Sequence, residues 1–268
     1  MLDFKLGDGG TSLPADVTVV AGVNSVDGED AADVSDNGTG HGTHVAGIVR
    51  RIAPGAELHI YRVCARESGD AHEMAIAKAV RHAADAGCDI INLSLGQDSE
   101  PLAITRQIRR AHGLGCVVVA ATGNNWGAEV AYPARTKGVL AVTACGLRAA
   151  APDGAIADDI FAPPPDEQSW VFFARFSNIG PEVSFISPGV AILSSVSPTE
   201  TGAMDGTSMA CPVTTALVAR LLSSDDTLLN SDRDQERSDA IVAACHKAAQ
   251  PFGFGRDMEG SGMIRLDR

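Results

Sequence analysis

Residues 71–95 read AHEMAIAKAVRHAADAGCDIINLSL. The first part places apolar side chains at Met74, Ile76, Ala77, Val80, Ala83 and Ala84, a spacing that predicts an amphipathic helix over 71–86. Gly87 follows at the place where a left-handed residue ends a helix. The polypeptide then enters the run Asp89-Ile-Ile-Asn-Leu-Ser-Leu95, short and apolar enough for a strand covered on both faces. Helix, glycine stop and buried strand are the repeating unit of an α/β fold.

The same grammar recurs on both sides of this stretch. Strands are expected at 58–63, 116–121, 139–144 and 183–186, and further helices at 101–112, 208–222 and 239–248. Continuous apolar strands alternating with helices predict a doubly wound, mainly parallel sheet with helices on both faces, a three-layer arrangement. Residues 146–172 break the pattern, with Pro152, the run Pro163-Pro164-Pro165 and several acids, and read as a surface insertion. No internal repeat or boundary splits the 268 residues into two cores, so one domain spanning 1–268 is expected.

Composition excludes some functions. The net charge of −13 disfavours nucleic acid and anionic membranes as partners, because both reward positive charge. No stretch reaches the roughly 18 apolar residues of a membrane helix, and residues 1–10 lack the pattern of a secretory leader. Six cysteines, at 64, 88, 116, 145, 211 and 245, form no C-x-x-C pair and read as reduced thiols. Together these features favour a cytoplasmic setting.

Three glycine-framed segments carry chemistry. Asn37-Gly-Thr-Gly-His-Gly-Thr-His-Val-Ala-Gly47 sets His41 at a helix start, where an imidazole serves as a base near neutral pH. His41 and His44 share a helix face as zinc ligands would, but no H-E-x-x-H or third ligand accompanies them. Val117-Val-Val-Ala-Ala-Thr-Gly-Asn124 runs a buried strand into an asparagine suited to donate an N–H into a cleft. Met204-Asp-Gly-Thr-Ser-Met-Ala-Cys-Pro212 places Ser208 at the positive end of a helix. Taken singly, these read equally as a surface histidine, a turn and an N-capping serine.

Together and in this order they resemble the subtilisin family of serine peptidases. The resemblance runs from about Asp8 to the C-terminus and includes Ile91-Asn-Leu-Ser-Leu-Gly96, Tyr132-Pro-Ala134 and Gly260-Ser-Gly-Met-Ile264. It implies a subtilisin-like fold and a serine endopeptidase acting through an acyl-enzyme. His41 is then the general base, Ser208 the nucleophile and Asn124 the oxyanion donor. Ser94, Leu95 and Gly96 form the strand that binds an extended polypeptide substrate.

The family's aspartate normally lies in D-[ST]-G, which is absent upstream of His41. Asp8, in Leu6-Gly-Asp-Gly-Gly10, is the candidate, at a spacing from Val20-Ala-Gly-Val-Asn24 that matches family members without a gap. Asp27, Asp30, Asp33 and Asp36 are alternatives in an acidic, loop-like stretch and read as solvated. The resemblance implies no cofactor for the chemistry and allows a structural calcium, with Asp16 suggested by position. The chain begins near the first strand, where family members carry more helical sequence and often a propeptide. That predicts a propeptide or other domains of a larger protein as partners. The alternative function is a catalytically impaired peptide-binding or regulatory module on the same fold.

Overall fold

The computed structural model describes residues 19–35, 38–66, 70–147, 160–162 and 171–266. In chain order its elements are β1 (Val19–Asn24), α1 (His41–Ile52), β2 (Leu58–Arg62), α2 (Glu73–Asp85), β3 (Ile90–Leu93), α3 (Leu102–Gly113), β4 (Val117–Ala121) and β5 (Val139–Leu147). There follow β6 (Ile160–Ala162), β7 (Val171–Ala174), β8 (Val183–Pro188), β9 (Ile192–Ser195), β10 (Thr201–Met204) and α4 (Thr207–Ser223). The chain closes with α5 (Asp226–Leu229), α6 (Gln235–Ala248), β11 (Ala249–Gln250), α7 (Arg256–Glu259) and β12 (Met263–Ile264).

The expected parallel sheet is present. β3 pairs with β4, β4 with β5 and β5 with β8, all parallel. Alternation along β4 separates two cores, because successive side chains leave opposite faces of a strand. Val118 and Ala120 join Ile76, Val80, Ile104 and Ile108 of α2 and α3. Val117 and Val119 join Val218, Leu222, Ile241 and Cys245 of α4 and α6. A third cluster packs Val45, Ala46 and Val49 of α1 with Met209 and Ala216 of α4. Helix α4 therefore lies under the sheet and beside α1, which places the starts of two helices in one neighbourhood.

Four departures from the sequence reading have physical causes. First, β1 pairs parallel with β2 as a separate two-stranded unit. Among the described residues no strand joins β2 to β3, although Leu58, His59, Asp89 and Ile90 at their starts line one cleft of about 440 Å³. Second, antiparallel pairs are added: β9 with β10, and β7 with the end of β5. Third, Gly146 and Leu147 complete β5, while Val171 and Phe172 belong to β7, so both ends of the 146–172 segment are strand. Phe172 and Phe173 are both buried and pin these ends to the sheet. β6 pairs antiparallel with β7, and the rest of that segment, 148–159 and 163–170, lies outside the described residues. Helix α6 starts four residues earlier than its apolar pattern, because Asp234 accepts a hydrogen bond from Arg237 N and caps a polar first turn.

Candidate active site

His41 is the first residue of α1. The helix opens on Gly40 at φ 69°, left-handed backbone that glycine adopts without strain, and a Cβ there would meet Val196 O at 2.8 Å. Thr39 Oγ1 accepts from His41 N at 3.4 Å. One turn on, His44 is buried, and its Nε2 lies 2.9 Å from Ile192 O and 3.1 Å from Gly202 O. Both carbonyls belong to the β9–β10 hairpin, and Ser194 Oγ donates to His44 O at 2.7 Å. Burial holds the His44 imidazole below its ordinary pKa, partly opposed by those two carbonyls. A neutral His44 donating to carbonyls is a fastening between helix and hairpin, which removes it from the zinc reading.

Ser208 is the second residue of α4 and is half-buried. Its Oγ donates to Ser94 O at 3.3 Å, while Ser94 Oγ donates to Ser208 O at 2.8 Å. Ser208 and the expected substrate strand thus hold one another directly. Beyond Gly96, Gln97 and Tyr132 exchange backbone hydrogen bonds at 2.8 Å each way, and a Cβ on Gly96 would sit 3.2 Å from Ala131 Cβ. The segment Ser94, Leu95 and Gly96 is thus held beside residues 131 and 132.

Asn124 follows β4 directly enough for its side chain to reach the start of α4. Its Oδ1 accepts from both Thr207 N and Thr207 Oγ1, each at 2.9 Å. With the carbonyl end so held, the amide must present its Nδ2 hydrogens on the other side. That nitrogen faces Gly206, where a Cβ would lie 3.1 Å from it and 3.6 Å from Ser208 N. Asn178 orders the loop beyond: its Oδ1 accepts from Asn125 N at 2.7 Å and its Nδ2 donates to Glu129 O at 2.9 Å. Thr207 lies beside Ser208 in the 204–212 segment without a signal of its own, and Asn178 carries no local sequence signal.

Asp8 lies outside the described residues, as do Asp36 and Asp16. The remaining acidic alternatives are committed elsewhere. Asp27 pairs with Lys78, Asp30 Oδ1 accepts from Ala32 N, and Asp33 bridges Arg62 and Arg66. Asp33 is therefore not a solvated acid: the Ser35 hydroxyl above all, with the Arg66 guanidinium, holds its carboxyl far below the usual range. Among the described residues no group of three or more His, Cys, Asp or Glu side chains is placed to hold a metal ion. No described helix is long and apolar enough to cross a membrane.

The Subtilase family profile, Peptidase_S8, matches residues 12–255. The chain belongs to the subtilase family. Subtilases are serine endopeptidases acting on polypeptides, and their catalysis needs no cofactor. The halolysin-like extracellular serine protease Nep of Natrialba magadii is 34% identical over 235 residues, 85% of this chain and 38% of Nep. Subtilisin DY of Bacillus licheniformis is 32% identical over 242 residues, 84% of this chain and 79% of that protein. Among solved structures, Sphericase superposes with a TM-score of 0.74 at 22% identity, covering 99% of this chain and 91% of that one. A cold adapted subtilisin-like serine proteinase gives 0.73 at 21%, covering 99% and 88%. These likenesses establish the subtilisin-like α/β fold.

The cytoplasmic setting expected above is corrected by the same comparisons, since one such subtilase relative is extracellular by name. The cysteines misled for a physical reason. Cys116, Cys145, Cys211 and Cys245 are buried, and desolvation pushes each thiol up to about 12. Such thiols pack as small hydrophobes in any compartment and do not report redox conditions.

Proposed function

We propose that this subtilase domain cleaves polypeptides by acyl transfer, with Ser208 as nucleophile, His41 as base, Asn124 in the oxyanion hole and Asp8 as the supporting acid. The observation that carries the reading is the clamped Asn124 amide, whose free N–H edge faces the start of α4. Such a donor acts where negative charge develops, and it stands ready before the reaction begins.

In this scheme His41 takes the Ser208 Oγ proton as the oxygen bonds to the scissile carbonyl carbon. Asn124 Nδ2 and Ser208 N bind the resulting oxyanion at the positive end of α4. The C–N bond then breaks, and the amine leaves with the proton from His41. Water, deprotonated by His41, hydrolyses the acyl-enzyme and restores the serine. An extended substrate lies along Ser94, Leu95 and Gly96 as an added strand. The engagement of Asp27, Asp30 and Asp33 with other partners supports Asp8 for the remaining role.

The test is labelling by a fluorophosphonate, with the modified residue located by mass spectrometry. The wild type is expected to label at Ser208, Ser208→Ala and His41→Ala to lose the label while staying folded, and Asp8→Ala to label more slowly. A folded wild type that takes no label would instead fit the peptide-binding module.

A further inference from the structure

Helix α4 contains a proline five residues into its length, Pro212. Proline has no N–H, so the carbonyl four residues back receives no helical hydrogen bond. That carbonyl belongs to Ser208. It does not go unsatisfied, because Ser94 Oγ donates to it at 2.8 Å.

The Ser94 hydroxyl is in turn held by a sealed series of donors. Asn92 Nδ2 donates to Ser94 Oγ at 2.9 Å, and Thr215 Oγ1 donates to Asn92 Oδ1 at 2.9 Å. Asn92, Ser94 and Thr215 are 0%, 2% and 2% exposed. Every hydrogen points the same way, from Thr215 through Asn92 and Ser94 to the Ser208 carbonyl. Bonds so aligned polarise and strengthen one another in a low-dielectric interior. Burying polar groups brings little net stability, and apolar groups of the same shape would serve a core nearly as well. What the series supplies is position.

We propose that Asn92 and Thr215 are positioning residues, whose relay through Ser94 replaces the helical hydrogen bond that Pro212 withholds from Ser208. The nucleophile on α4 and the substrate strand after β3 are thereby held as one unit. This rests on the assignment of Ser208 as nucleophile.

The experiment is a double-mutant cycle on the whole chain using Thr215→Val, Ser94→Ala and the two combined, with Thr215→Ser as the conservative variant. Fluorophosphonate labelling rate and kcat and KM on an extended peptide are measured beside thermal unfolding. Thr215→Val is expected to slow labelling and kcat about five- to tenfold, the size of one lost buried hydrogen bond, with KM little changed. Thr215→Ser is expected to stay within about twofold of wild type. In the Ser94→Ala background, Thr215→Val is expected to add nothing, since its effect travels through the missing hydroxyl. Independent, multiplying effects would overturn the relay and leave Thr215 a packing residue. So would Thr215→Val at wild-type rates. A wild type that fails to label at Ser208 overturns the nucleophile assignment and the relay with it. A variant that unfolds is replaced by Asn92→Ser, which keeps a polar group but cannot span to Ser94, and the same non-additivity with Ser94→Ala decides.

Discussion

Gly206 shows how little room a single residue has in this site. Its φ of 145° lies where L side chains are rarely found, and a Cβ would crowd Asn124 Nδ2 at 3.1 Å. Gly206→Ala is therefore expected to displace Asn124, the proposed oxyanion donor, by tenths of an ångström and to lower kcat about tenfold while KM stays near its starting value. Steady-state kinetics on a peptide substrate, with circular dichroism to confirm folding, read this directly. His41, Ser208 and Asn124 stand out in the sequence as candidates because a reactive side chain on a tight turn needs glycine beside it, and glycine leaves a visible mark. Thr215 and Asn178 were not. A threonine within an apolar helix or an asparagine in a loop has no local pattern, and its importance comes only from what lies opposite it.

Among elements, the contact between α1 and the β9–β10 hairpin carries a pH dependence. His44 is held below its ordinary pKa by burial, so the folded state binds its proton less readily than the unfolded chain does. Its stabilising contribution is complete above about pH 6.5 and declines as the pH falls below it, where the unfolded chain takes up the proton first. His59 and His246 are depressed by burial as well and act with the same sign. Denaturation midpoints measured from pH 7 downward are expected to fall, and His44→Gln to make that fall shallower. An unchanged slope in His44→Gln would contradict this. Parallel strands such as β4, buried on both faces, were readable as unbroken apolar runs. The hairpin was not: Thr201-Gly-Ala-Met204 has alternating partial exposure and little β-propensity, and it forms because β9 and α1 offer it partners. β1 was likewise hidden, its partner being a strand 34 residues further on from Asn24 to Leu58.

Across the whole molecule, stability comes from apolar packing on the two faces of the sheet, and none of the six cysteines is in a disulfide. Millimolar dithiothreitol is thus expected to leave the thermal midpoint unchanged, as a pair of calorimetric scans would show. A downward shift would reveal a cross-link this structure does not contain. The α/β class was readable at this scale because helical and strand periods alternate so regularly along the chain. The separation of β1 and β2 from the main sheet was not, since hydrophobic period names an element without naming its neighbour.

The hairpin turn also bears on how such an enzyme survives its own company. A concentrated endopeptidase offers its loops to other copies of itself, and a cleft that accepts extended backbone cuts only what can be drawn straight. Pro198, Thr199 and Glu200 are exposed at the turn. Val196 N donates to Glu200 O at 3.0 Å, and Ser197 Oγ accepts from Glu200 N at 3.1 Å, so the backbone is laced closed. Straightening it would break those bonds and loosen the seat of His44, which makes this exposed tip beside α1 a poor meal for its neighbours.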